Sequence, residues 1–210
     1  MRRLLVRRFE SSFGAFAKTV ANAIQYYRHV KQIAITKGIV FQSRKFLDRF
    51  TTLCENDATP AEFDNFFEEI ARTEQTRTSR DKDEIYDVAN KCFDKKKFFA
   101  DLDKDIGTFE NILKEIDYLN LLKEDPKALQ LINIVRSVLN CKHKDLDNVT
   151  GRKVIIFSEY RDTIDHVKRY FDKSDYAERV LAPESASDEV LDNFDASREK
   201  QKNNFDVLLV

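Results

Sequence analysis

Residues 158–161 read Ser-Glu-Tyr-Arg and follow directly on four apolar residues, Val154, Ile155, Ile156 and Phe157. A helical pattern begins at once behind them. The carboxyl end of a parallel strand, where a helix starts, is the edge at which open α/β sheets take ligands. A hydroxyl, a backbone N–H at a helix start and a guanidinium all hold phosphate oxygens. Ser158, Tyr160 and Arg161 are therefore candidate phosphate contacts. The plainer alternative is that Ser158 or Asp162 caps the helix and Arg161 is solvated.

Arg2, Arg3, Arg7 and Arg8 form the densest basic cluster in the chain. They suit phosphates bound with a steep salt dependence, or structural ion pairs. Lys95, Lys96 and Lys97 read as a solvated face. Cys141 and His143 lie close together, but no second ligand pair has zinc spacing. Cys54, Cys92 and Cys141 are an odd, scattered set that reads as reduced thiols. His29 and His166 have no nucleophile motif near them and read as surface or partly buried helix residues. Phe13, Phe16, Phe41, Phe46, Phe50, Phe66 and Phe67 are possible stacking platforms for bases, but their helical spacing favours core packing.

These residues need a scaffold, and the composition sets its type. Two hundred and ten residues allow one large or two small domains. With 42% hydrophobic and 35% charged residues, amphipathic helices under charged faces are expected. Only 4 Gly and 3 Pro argue against an all-β fold rich in tight turns. No apolar run approaches the roughly 18 to 20 residues that span a bilayer. The first residues lack the apolar stretch of a signal peptide, and the expected location is cytoplasmic. Charge is uneven: residues 1–50 carry 11 Lys/Arg against 2 acids, while residues 51–150 carry 15 against 22. A basic segment can mark a polyanion-binding surface. A basic helix face paired with the acidic middle is the favoured reading.

Apolar residues recur at steps of three or four from Phe9 to Ile33, which predicts one amphipathic helix. Ser11, Ser12 and Gly14 could start or kink it, and Gly38 ends it. A second helix is expected over 40–54, a break over 57–60 and a short third helix over 61–71. Residues 71–84 are polar and aperiodic, which predicts an exposed loop or linker. Helix is expected again over 85–122. Asp125 caps a further helix that starts at Pro126, and a polar connection over 141–152 leads to a change of domain at Gly151. Beyond it the period shifts to strand (154–157), helix (161–171), a short strand in 178–182, helix from Ser187 and a strand over 205–210. That is β-α-β-α-β, an α/β class with a long helical region ahead of an incomplete parallel unit. Four consecutive apolar residues suit a strand covered on both faces. The closing Phe-Asp-Val-Leu-Leu-Val has the letters of an internal strand, which needs a neighbour on each side and a helix over each face, and no residues remain to supply all of that. A truncated domain, or one completed by another chain, is the expectation.

Four stretches in order carry a resemblance: 2–16 (RRLLVRRFESSFGAF), 125–135 (DPKALQLINIV), 157–167 (FSEYRDTIDHV) and 205–210 (FDVLLV). Together they resemble the Swi/Snf-like ATPases of helicase superfamily two, near the bacterial RapA-like branch. The resemblance implies that 1–150 is the helical inter-lobe region and 151–210 the N-terminal part of a second RecA-like lobe. It implies nucleic-acid backbone contact around the end of the first strand, by Ser158, Tyr160 and Arg161, and places Arg2, Arg3, Arg7 and Arg8 near the lobe junction. In the parent, it implies ATP and Mg²⁺ as cofactors and double-stranded DNA as partner. This chain has no G-x-x-x-x-G-K-[ST] loop, no strand-end Asp-Glu pair and no late arginine motif. The fragment is thus expected to bind no cofactor, to have no catalytic residue and to be inactive alone. The alternative is a helical interaction module completed by self-association or a protein partner.

Overall fold

The structure, a computed structural model, describes residues 2–41, 44–56, 58–73, 85–140, 152–183, 185, 187–195, 197 and 202–210. It divides into two compact units. One comprises Met1–Glu10 and Phe16–Leu119, the other Ser11–Ala15 and Asn120–Val210. The division expected at 150/151 therefore moves to Leu119/Asn120. Residues 141–151, with Cys141, His143 and Gly151, lie outside the described residues, as do 74–84 of the expected loop.

The first unit is helical. α1 (Arg2–Ser11) and α2 (Phe13–Lys37) replace the single helix expected from Phe9. The break falls at Ser12, whose hydroxyl accepts the Ala15 N–H at 3.0 Å and so caps α2. Gly38 ends α2 with φ +69°, a left-handed conformation that favours glycine. A strand follows where helix was expected. β1 (Ile39–Phe41) pairs antiparallel with β2 (Ile85–Asp87), Val40 opposite Tyr86. Both are short β-branched or aromatic stretches, which helical periodicity on either side concealed. Between them lie α3 (Arg44–Glu55) and α4 (Pro60–Thr73). Thr59 and Glu62 form a reciprocal capping box at the start of α4. α5 (Val88–Lys91) and the 24-residue α6 (Lys95–Tyr118, capped by Asp94) complete the unit.

Its core answers the question about the phenylalanines. Phe50, Phe63, Phe66 and Phe67 are buried together with Leu4, Cys54 and Ala58. Phe16 packs against a second cluster of Val20, Ile24 and Ile106. The side chains of Phe41 and Phe46 lie outside the described residues, and Leu47 of α3 is exposed. The basic α2 does pair with the acidic middle of the chain. Arg28 meets Glu110 at 2.6 Å, and Lys31 donates to Asp103.

The second unit is a small parallel sheet with helices. α7 (Pro126–Asn140) and α8 (Arg161–Phe171) cover one face of β3 (Val154–Ile156), β4 (Val180–Leu181) and β5 (Val207–Leu209). α9 (Asp188–Phe194) is capped by the Ser187 hydroxyl. Strand order is β3-β5-β4. The last strand is central, with Val207 paired to both Val154 and Val180. The expected internal strand is thus internal, but this chain supplies both its neighbours. β4 does not pair with β3; it leaves a slot that β5 fills. The entry to β5 is pinned by Arg179, which grips Asp206 through two bonds of 2.8 and 2.6 Å, and by Lys153, which donates to the Phe205 carbonyl at 2.6 Å. Burial holds the Lys153 pKa below its ordinary value. The expectation that β3 is covered on both faces fails among the described residues: Ile155 is 44% and Phe157 79% exposed.

α7 belongs to this sheet and not to the helical region before it, because Ala128, Ile132 and Val135 enter the sheet's core. Asp125 anchors it. Its Oδ1 accepts the Lys127 N–H at 2.8 Å and its Oδ2 lies 2.9 Å from His166 Nε2. The Tyr170 hydroxyl accepts the Asp125 N–H at 2.6 Å and donates to the Leu122 carbonyl at 3.2 Å. Burial alone would raise the Asp125 pKa, but hydrogen bonds from His166, Lys127 N–H and Ala128 N–H outweigh it, and the carboxyl lies below its ordinary range. A depressed folded-state pKa stabilises above the unfolded value of about 3.9 and loses that contribution as pH falls through the folded value. Asp125→Ala removes a helix cap and a buried hydrogen bond, and is expected to cost about 3 kcal/mol in urea unfolding. Asp125→Asn, which keeps a cap acceptor, is expected to lose less and to flatten the loss of stability below about pH 4.

Candidate nucleic-acid interface

The carboxyl ends of the three strands open onto a cleft of about 340 Å³, lined by Ser158, Arg161, Ile164, Pro183, Ser185, Val190 and Val210. Backbone pairing builds its floor. Ser158 N–H donates to the Val210 carbonyl at 2.7 Å, and Val210 N–H to the Ile156 carbonyl at 2.9 Å. The ladder therefore runs one step past β3 and β5 and sets Ser158 beside Val210. There the chain turns into α8. The Ser158 hydroxyl accepts the Tyr160 N–H and contacts the Tyr160 carbonyl, both at 3.2 Å, closing a local turn.

Tyr160, not Ser158 or Asp162, occupies the cap position of α8, and it makes no side-chain cap bond. The Tyr160 side chain thus caps no first-turn N–H, the Thr163 N–H meets the Tyr160 carbonyl at 3.1 Å, and the positive end of the helix dipole lies at the cleft. Tyr160 itself is 5% exposed, so its ring serves packing. Arg161 is held from two sides. Its Nε donates to Asp165 Oδ1 at 3.2 Å, one turn on, and its Nη1 to the Pro183 carbonyl at 2.9 Å. Its side chain remains 41% exposed. Two of the five guanidinium N–H groups are used in this way, and three are left for an anion.

The structure thus brings Ser158, Tyr160 and Arg161 to one edge, while the arginines of α1 belong to the other unit. Arg3 and Arg7 are exposed. The side chain of Arg2 lies outside the described residues. Arg8 is a correction. It is fully buried and its Nη2 donates to the Cys54 carbonyl, so it serves the helical core and cannot reach a phosphate. Lys95, Lys96 and Lys97 form the exposed first turn of α6.

Five cleft residues were not read as site residues from the sequence: Ile164, Pro183, Ser185, Val190 and Val210. Ile164 stands on α8 and Val190 on α9, Pro183 and Ser185 lie in the connection between β4 and α9, Val210 follows β5, and nothing in their spacing marks them as a set. His166 was also misjudged. It is 2% exposed and bound to a carboxylate 41 residues earlier in the chain. His29 stacks on Phe67 at 4.0 Å, and burial lowers its pKa.

The cleft lining offers one guanidinium, two hydroxyls and no side-chain carboxylate. That set suits a single anionic group. It does not suit a magnesium–triphosphate, which needs oxygen ligands for the metal and a phosphate-wrapping loop. Among the described residues no group of three or more His, Cys, Asp or Glu could hold a metal ion, and no helix is long and apolar enough to cross a membrane. No protein-family model matches the chain, and no curated protein and no solved structure matches it.

The buried Arg8 gives a direct check. Arg8→Met is expected to lower the unfolding free energy by about 2 kcal/mol, because it leaves the Cys54 carbonyl without its donor. It is expected to leave any salt-dependent affinity for duplex DNA unchanged.

Proposed function

We propose that this chain is a segment of a Swi/Snf-like, helicase-type ATPase, in which the second unit is part of a RecA-like lobe and grips a nucleic-acid backbone. ATP hydrolysis, in this reading, belongs to residues outside this chain, and duplex DNA is the partner. The observation that carries it is the placement of Arg161. It stands in the first turn of α8, at the carboxyl edge of a parallel sheet, with its side chain anchored yet still open to solvent. Phosphate contacts position a protein on a duplex without reading its sequence, and one guanidinium with adjacent N–H groups and hydroxyls is a set suited to that task. Arg3 and Arg7 add exposed positive charge on α1.

A second reading is favoured by one observation, the exposure of Ile155 and Phe157 on the uncovered face of β3. Parallel sheets bury both faces, so a protein partner or a second copy would cover this one. The chain would then be an interaction module.

A salt titration of binding to labelled duplex DNA separates the two. Under the first reading the logarithm of affinity falls linearly with the logarithm of salt concentration, and Arg161→Ala makes that slope shallower by about 1. A joint Arg3→Ala, Arg7→Ala variant is expected to flatten it by up to about 2. A chain that forms a monodisperse oligomer and shows no salt-dependent affinity for the duplex belongs to the second reading.

A further inference from the structure

α8 presents three faces. Ile164, Val167 and Phe171 enter the sheet's core. Arg161 and Asp165, paired one turn apart, stay outside. The third face, Thr163, His166 and Tyr170, is buried and held by polar groups from distant parts of the chain. His166 and Tyr170 bind Asp125, as described above. Thr163 Oγ1 lies 2.7 Å from Ser11 Oγ and 3.1 Å from Ser12 Oγ, more than 150 residues away in sequence. Ser11–Ala15 is the short stretch that joins the second unit. A Cβ at Gly14 would stand 2.5 Å from His166 Nδ1, so the segment lies against α8 with no room to spare.

We propose that Ser11, Ser12 and Thr163 are positioning residues that set the roll of α8 about its axis and thereby aim Arg161 into the cleft. None of the three touches the ligand. Apolar contact between a helix and a sheet is non-directional and changes little on a small roll. A hydroxyl–hydroxyl bond does not tolerate such a roll, because it weakens steeply beyond about 3 Å. Thr163 has one O–H to give and two lone pairs to offer, so it can serve both serines at once. Ser12 is itself immobilised by the Ala15 N–H. Thr163 sits two residues after Arg161 in the same helical turn, which makes it the one nearest in sequence to Arg161 among the three buried polar residues of α8. A guanidinium standing about 8 Å from the helix axis moves by roughly 2 Å for a roll of about 15°. That displacement separates a phosphate contact from none.

The inference rests on the reading of the cleft as a phosphate contact, and its test is arranged to tell the two apart. Binding to labelled duplex DNA is titrated with salt for the parent chain, Arg161→Ala, Thr163→Val, Thr163→Ser and Ser11→Ala, with thermal unfolding of each followed by circular dichroism. Thr163→Val is expected to weaken binding about fivefold at low salt and to flatten the slope by about 1, as Arg161→Ala does. Thr163→Ser, which keeps the hydroxyl, restores both affinity and slope. Ser11→Ala shifts both in the same direction by a smaller amount, and decides the matter if Thr163→Val does not fold. Parental affinity and slope in Thr163→Val and Ser11→Ala, with Arg161→Ala impaired, overturns the positioning role and leaves the phosphate contact standing. A lowered unfolding temperature with an unchanged slope overturns it too, since that is the signature of packing alone. A parent chain without salt-dependent binding overturns the contact reading and this inference together.

Discussion

One buried carboxylate organises the second unit. Asp125 closes the first turn of α7 with one oxygen and holds His166 of α8 with the other, while Tyr170 of α8 reaches back to its N–H. A carboxylate taken out of water is tolerable only if its lone pairs are met, and here the partners come from both helices that cover the sheet. The register between α7 and α8 follows. Ala128, Ile132 and Val135 then face Ile164, Val167 and Phe171 over the same strands. Apolar area supplies the stabilisation; the polar contacts choose one arrangement among the several that apolar burial alone would allow.

The sheet is built by insertion. β3 and β4 are laid down apart, and β5 enters between them, buried at all three positions. Such a strand cannot complete its pairing until both neighbours exist, and both pairings are non-local and carry a loop-closure cost. The bidentate Arg179–Asp206 contact and the Lys153 contact to Phe205 lie where the chain enters the slot. The same construction makes the cleft. Three strand ends arrive together at one edge, and the start of α8 brings Arg161 to it.

Much of this was legible in the amino-acid order. The Asp125–Pro126 start of α7, the Gly38 end of α2, the Ser187 cap of α9 and the three-strand, two-helix alternation after residue 152 all rest on local chemistry: a cap acceptor, a left-handed glycine, a change from helical spacing to short continuous apolar runs. Other readings failed where tertiary context prevailed. β1 and β2 sit in stretches that looked helical, since the helical patterns beside them run over their three residues, whereas continuous apolar runs mark β3 and β5. The basic run at the start of the chain read as one surface, yet Arg8 faces inward, because one helix shows different sides at consecutive positions. α7 looked like the end of a helical region, and only its contacts assign it to the sheet.

By itself the sequence determined the end of α2, the starts of α7 and α9, the alternation of strand and helix after residue 152, and that Ser158 and Arg161 flank a strand-to-helix turn. Those are matters of near neighbours, settled by dihedral preference, capping and periodicity within a few residues. Only the tertiary structure decided that the last strand is central, that His166 meets Asp125, that Ser11 and Ser12 meet Thr163, and that Pro183 and Ser185 share a cleft with Arg161. Those contacts join residues up to about 150 positions apart, and nothing in local spacing encodes them, because they exist only once burial has drawn distant segments together.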